Sequence, residues 1–150
     1  MTLPRVLRPR DVAPDELDDP FWQACREHRF LVHRCGTCGR SYWPASCCID
    51  HGSVTMEWQE ASGRGVVHTF TIAHHAYEPS MADRVPYAIA VVQLAEGPFF
   101  HTDIVGCDPA DVHVGMDVEA TYDQIDDHNV IPRFTPAGFA PVHDRTKEAP

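Results

Sequence analysis

The chain reads as a mainly β protein: a short N-terminal helix, a metal-stapled ribbon, then a small five-stranded barrel. Three observations predict this. Two ligand-type clusters, Cys35-Gly36-Thr37-Cys38 and Cys48-Ile49-Asp50-His51, stand nine residues apart. Short apolar runs punctuated by turn residues fill the stretch that follows. Thirteen prolines and nine glycines in 150 residues favour many short elements over long helices.

The elements follow in order. Residues 1–14 hold three prolines and no periodicity, which predicts an extended arm. Residues 15–30 carry the helix: Asp18-Asp19-Pro20 is read as an acidic cap followed by Pro at the first helical position. Phe21, Trp22, Ala24 and Cys25 form its apolar stripe, and it is expected to end near His28. A helix this short is marginal alone, so Phe21 and Trp22 must be buried by this chain or by a partner. Residues 31–53 hold the two clusters, with a strand at Arg40–Trp43 between them.

Residues 54–135 are expected to form the barrel, with strands at 54–60, 66–73, 87–94, 99–105 and 117–125. Gly63 and Gly65 mark a turn or bulge, Glu96-Gly97-Pro98 a hairpin turn, and Asp108–Asp111 a single helical turn. Five short strands with one brief helical insertion before the last predict a Greek-key barrel of the OB type. Residues 136–150 read as a flexible tail.

Cys35, Cys38, Cys48 and His51 have the residue types and spacing of a tetrahedral Zn²⁺ site with S₃N ligation. Four protein ligands leave no open position, which points to structural rather than hydrolytic zinc. Cys47 is a possible alternative ligand.

Charge excludes one class of function. The chain carries 22 acids against 12 bases, a net −10, and from Val66 to Asp127 there are eleven acids and one arginine, Arg84. Phosphate backbones need a positive surface, so nucleic-acid binding by this half is disfavoured. No apolar run approaches eighteen residues, so no transmembrane helix is expected, and the first ten residues lack a signal-peptide core. A cytoplasmic location is the expectation. Of the ten histidines, His74 and His75 lie in a loop after a strand, and His101 and Asp103 share a strand face. No Ser or Cys nucleophile has a recognisable context, so packing or exposed histidines are the favoured reading over a general base.

The motifs Asp19-Pro20-Phe21-Trp22, Arg34-Cys35-Gly36-Thr37-Cys38-Gly39-Arg40, Cys48…His51-Gly52-Ser53, Glu57-Trp58, Ser62-Gly63-Arg64-Gly65-Val66-Val67, Pro86-Tyr87 and Leu94-Ala95-Glu96-Gly97 occur in one order. In that order they resemble a family of bacterial and archaeal proteins with a rubredoxin-like zinc ribbon and an OB-fold, over roughly residues 15–135. The resemblance implies an accessory subunit, not catalytic alone, of a thiolase-superfamily enzyme such as a thiolase, an aldolase or an acyltransferase, with acyl-CoA shared between the two. The family's usual fourth ligand is Cys where this chain has His51.

On this reading Phe21, Trp22 and Trp43 are candidate docking residues, and His74, His75 and Arg64 candidate substrate-proximal residues. The phosphates of coenzyme A are expected on the partner, or near Arg26, Arg29, Arg34, Arg40 and Arg64. The alternatives are an OB-fold nucleic-acid binder and a free-standing acyl-CoA enzyme such as a hydratase.

Overall fold

The structure, a computed structural model, describes residues 18–44 and 46–138. The expected arm at 1–14 lies outside these residues, as does all of the expected tail beyond Gly138. Helix α1 spans Asp19–Arg26 and buries Phe21, Ala24 and Cys25, the i, i+3, i+4 stripe of a single face. It ends two residues sooner than expected. The His28 amide donates to the Cys25 carbonyl and the Arg29 amide to the Ala24 carbonyl, the paired bonds of a Schellman closure. His28 occupies the left-handed position at φ 58° where glycine is usual, and its ring stacks on Tyr122 at 5.1 Å and 2°.

Strands β1 (Leu31–Cys35), β2 (Ser41–Tyr42) and β3 (Met56–Glu60) form an antiparallel sheet in the order β2-β1-β3. This corrects the expected barrel: the strand near 54–60 belongs to the ribbon, pairing in register with β1 from Leu31↔Glu60 to Cys35↔Met56. A boundary at 53/54 would cut this sheet. The reason is side-chain pairing: Trp58 lies over its cross-strand partner His33, with ring centroids 3.6 Å apart.

The barrel is built from β4 (Arg64–Ala73), β5 (Tyr87–Leu94), β6 (Phe99–Ile104), β7 (Asp117–Gln124) and β8 (Val130–Pro136), closed in the order β4-β5-β6-β8-β7. All its pairings are antiparallel except β6–β8, and the result is a five-stranded OB-like closure. Its fifth strand is β8, which the sequence pattern hid behind Pro132, Arg133 and Pro136. Proline is a poor signal for a strand, yet β8 pairs with β7 from Gln124↔Val130 to Val118↔Pro136. Asp126 closes that hairpin by accepting from the amides of His128 and Asn129. Pro136, the first residue of the expected tail, is therefore part of the sheet. The helical turn before β7 is present as a 3₁₀ turn at Pro109–Asp111, capped by the Asp108 carboxylate.

Gly65 shows why the Gly-Arg-Gly segment matters. A Cβ there would sit 2.5 Å from Val92 Cγ1 and 2.7 Å from the Gln93 carbonyl, so β4 and β5 can close only over a bare backbone. A bulge between Val67 and Thr69 then shifts the register of β4.

One core runs through helix, ribbon and barrel. Val67, Ala88, Ala90, Val92 and Val118 fill the barrel. Phe100 and Phe134 continue it to Phe30 and Phe21, with ring centroids 5.1 Å (Phe30–Phe100), 6.0 Å (Phe30–Phe134) and 5.4 Å (Phe21–Phe30) apart. Among the described residues no helix is long and apolar enough to cross a membrane.

Candidate metal centre

Two knuckles bring the ligands together. In the first, the Gly39 amide donates to the Cys35 carbonyl and Gly39 takes φ 74°. In the second, Cys48 and Gly52 exchange both backbone hydrogen bonds, and Gly52 takes φ 70°. The Gly36 amide donates to the Thr55 carbonyl, tying the first knuckle to the chain that leaves the second.

The ligand atoms of Cys35, Cys38, Cys48 and His51 all lie within 4.8 Å of one another. Cys38 Sγ is 3.7 Å from Cys48 Sγ, and His51 Nδ1 is 3.5 Å from Cys48 Sγ and 3.7 Å from Cys35 Sγ. A tetrahedron with Zn–S of about 2.3 Å and Zn–N of about 2.0–2.1 Å has edges of about 3.8 and 3.6 Å. The donor set fits zinc in type, number and spacing, and the site is a structural Cys₃His centre. His51 supplies the fourth ligand atom through Nδ1; Cys47 is exposed and stands outside the cluster.

The electrostatics favour thiolate where a cation is needed. The hydrogen bond from the Thr55 hydroxyl, helped by the Cys38 amide, lowers the Cys35 thiol to about 5. The Tyr42 hydroxyl, 3.2 Å from Cys48 Sγ, lowers that thiol to about 7. Cys38 goes the other way: the Arg40 amide favours its thiolate, but burial and the neighbouring sulfurs of Cys35 and Cys48 outweigh that and raise it. Three sulfurs so close cannot all ionise without a compensating charge, which a divalent ion supplies. Around them, Tyr42 is fixed by the Ile49 amide at 3.3 Å and the Arg40 guanidinium at 3.4 Å, and Arg40 pairs with Asp50 at 3.0 Å. Tyr42 is the supporting residue that sequence reading missed; its signal was its place on the strand between the two clusters.

The other candidates do not converge. Arg64 opens β4 and His74 follows its far end, so about ten residues of strand, roughly 33 Å, separate them. His74 and His75 are exposed, with the His75 ring edge-on to Tyr77 at 5.7 Å. Asp103 does not partner His101: its carboxylate takes the Arg133 guanidinium at 2.6 Å and Arg84 at 3.5 Å. Phe21 is fully buried among Phe30, Trp22 and Trp43 and has no surface for docking, a correction that follows from its place at the centre of the aromatic cluster. Trp22 and Trp43 are half-buried against the core. The arginines disperse: Arg26 to the His128 carbonyl, Arg29 to Glu27 and Glu60, Arg34 to the Gly39 carbonyl, Arg40 to Asp50. Burial pushes the Cys25 thiol up to about 12, and burial with Cys25 alongside raises Tyr122.

Residues 22–50 match the family model of the ChsH2 rubredoxin-like zinc ribbon domain, and residues 58–123 that of the ChsH2 C-terminal OB-fold domain. A DUF35 domain-containing scaffold protein of Methanocaldococcus jannaschii is 35% identical over 107 residues, 69% of this chain and 75% of that protein. The chain belongs to the DUF35 (ChsH2-type) family.

Within that family, a chain of the solved Ltp2-ChsH2(DUF35) aldolase superposes with a TM-score of 0.75 at 31% identity, covering 87% of this chain and 99% of that one. The probable enoyl-CoA hydratase alpha subunit of Thermomonospora curvata is 34% identical over 136 residues. That alignment takes in 89% of this chain but 41% of the relative, so this chain spans about two fifths of the hydratase subunit's length.

Proposed function

We propose that this DUF35 protein is a non-catalytic accessory subunit that binds a thiolase-superfamily enzyme and supports that enzyme's acyl-CoA chemistry. The observation that carries the reading is the match, over 99% of its length, to a chain of the Ltp2-ChsH2(DUF35) aldolase. The closed ligand set of the metal centre agrees with it, since it serves as a staple and offers no substrate an open coordination position. The partner supplies the nucleophile and the acid/base groups for making or breaking the C–C bond. This chain supplies shape and stability, with His74 and His75 at the open end of β4 nearest the partner's site.

The phosphates of coenzyme A rest on the partner. Net charge −10 and arginines already engaged by Glu27, Glu60 and Asp50 support this. The hydratase names of relatives belong to proteins more than twice the length matched here, and their activity is not assigned to this chain.

The test is turnover and complex formation together. The chain is purified alone and co-expressed with a thiolase-superfamily enzyme of the same organism. The expected result is a stoichiometric complex, acyl-CoA turnover only in the complex, and zinc in the lone chain. Turnover by the lone chain, or no complex, overturns the proposal.

A further inference from the structure

The outer face of β4, β5 and β6 differs from the rest of this acidic surface. The β5 side chains Ile89, Val91 and Gln93 point out of the barrel, flanked in register by Asp103, His101 and Phe99 on β6 and by Thr71, Thr69 and Val66 on β4. Phe99 is 44% exposed, Val66 39% and Ile89 36%, although each lies in regular sheet. The bulge between Val67 and Thr69 turns His68 outward as well, and its ring meets that of Phe99 at 4.9 Å over β5. Between Arg64 at one end and Asp103 at the other, these positions carry no Asp, Glu, Lys or Arg. The segment Val66–Asp127 as a whole has eleven acids against one arginine. A charge-depleted patch with an aromatic anchor, framed by charged residues, has the anatomy of an interface centre and rim.

We propose that this face is the docking surface for the enzyme subunit, and that the enzyme meets it with an apolar pocket for Phe99 ringed by lysine or arginine. The inference rests on the accessory-subunit reading above. Charge complementarity selects the occupant. Asp117, opposite Val66 on the neighbouring strand, and the Asp103–Arg133–Asp123 cluster frame the patch, and the whole chain is at −10. A second copy would bring the same negative field to the contact and be repelled, whereas a basic rim is attracted and steered. Single-stranded nucleic acid uses this face in other OB-folds, but here it would meet no basic groove. Docking on this face also sets the His74–His75 loop, which follows β4, at the edge of the contact.

The test uses full-length protein and the same co-expressed enzyme, with Kd measured by calorimetry at two salt concentrations. Phe99→Glu is expected to raise Kd at least about thirtyfold, as loss of a central aromatic anchor does. Ile89→Glu, the second variant, is expected to act in the same direction. Val54→Glu on the ribbon tip, where Val54 is 94% exposed, is expected to leave Kd within about twofold. Circular dichroism and zinc content certify that each variant is folded, and wild-type affinity should fall with salt.

Folded Phe99→Glu and Ile89→Glu proteins that bind like wild type overturn the surface assignment and leave the accessory role intact. Failure of the wild-type chain to bind the enzyme overturns both. Wild-type self-association abolished by Phe99→Glu assigns the face to a second copy instead and overturns the proposal. Capture of single-stranded DNA or RNA lost in the same variant does likewise.

Discussion

Replacement of His51 tests the metal centre at its most unusual ligand. Its Nδ1 completes a set whose other three atoms are sulfurs, at 3.5 Å from Cys48 and 3.7 Å from Cys35. Structural zinc sites contribute about 10–16 kcal/mol of apparent binding energy, so one ligand in four carries roughly 3 kcal/mol. That is about two decades in affinity. His51→Ala is therefore expected to weaken zinc about a hundredfold. His51→Cys is expected to keep it, because a thiolate is as good a zinc ligand as imidazole and Cys₄ is a common closed structural set. Cys47→Ser is expected to change nothing, since Cys47 lies outside the cluster. Competition against a chromophoric chelator gives the affinities, and metal analysis gives the stoichiometry. If His51→Ala held zinc like wild type while Cys47→Ser lost it, the fourth ligand would be Cys47 and not His51.

Three further outcomes are expected. Phe21→Ala should destabilise by about 3–5 kcal/mol; at about 4 °C per kcal/mol for the 120 described residues, calorimetry should show Tm falling by roughly 12–20 °C. A change below about 2 °C would return Phe21 to the surface. Gly65→Ala should cost about 1–3 kcal/mol in urea unfolding, because the new methyl meets backbone at Gln93 as well as Val92, and a fully wild-type midpoint would refute the close approach of β4 and β5 there. Cys25, held near 12 when folded against 9.0 unfolded, favours the fold while its thiol is neutral. Its contribution is complete below pH 9 and is lost as pH rises from 9 to 12, on the order of 4 kcal/mol at most. Cys25→Ala should flatten that alkaline slope, and an unchanged slope would assign it to other groups such as Tyr122.

Local chemistry was readable in the sequence where it is governed by short spacing. The two knuckles, the helix start at Asp18–Pro20 and the Pro109–Asp111 turn each depend on neighbours in the chain and form where expected, although the helix begins at Asp19, one residue before Pro20, and the Asp18 side chain makes no capping hydrogen bond. Long-range pairing was not readable. Met56–Glu60 looks like any other short strand, and only the presence of β1 with a free edge recruits it to the ribbon. Val130–Thr135 falls within the expected barrel but carries no strand signal because Pro132 and Pro136 mask it, while the partners that hold it, β7 and the parallel β6, are set by barrel closure. The same limit applies to the candidate site residues. Phe21 and Trp22 are adjacent in sequence, but helical geometry turns one wholly inward and leaves the other half out. Arg64 and His74 are close in number yet sit at opposite ends of an extended strand. Tyr42 is set against Cys48 by pairing of β2 with β1, which no motif announces.

The continuity of the core makes the zinc ribbon more than a local staple. Phe30 precedes β1 and packs on Phe100 and Phe134 of the barrel at 5.1 and 6.0 Å, and Trp43 follows β2 and packs on Phe100 at 5.6 Å. A ribbon released from its metal would loosen the two segments that cover this end of the barrel core. Removal of zinc should thus lower the stability of the barrel as well as of the ribbon. All three tryptophans, Trp22, Trp43 and Trp58, lie in the helix and ribbon, so their fluorescence reports chiefly that part and its seam with the barrel, whereas far-UV circular dichroism reports the whole sheet content. With zinc bound, the two signals should trace one unfolding curve, as a single cooperative unit requires. With zinc chelated, both should move together to lower denaturant. If tryptophan fluorescence shifted while the dichroism midpoint stayed in place, the barrel would be independent of the ribbon.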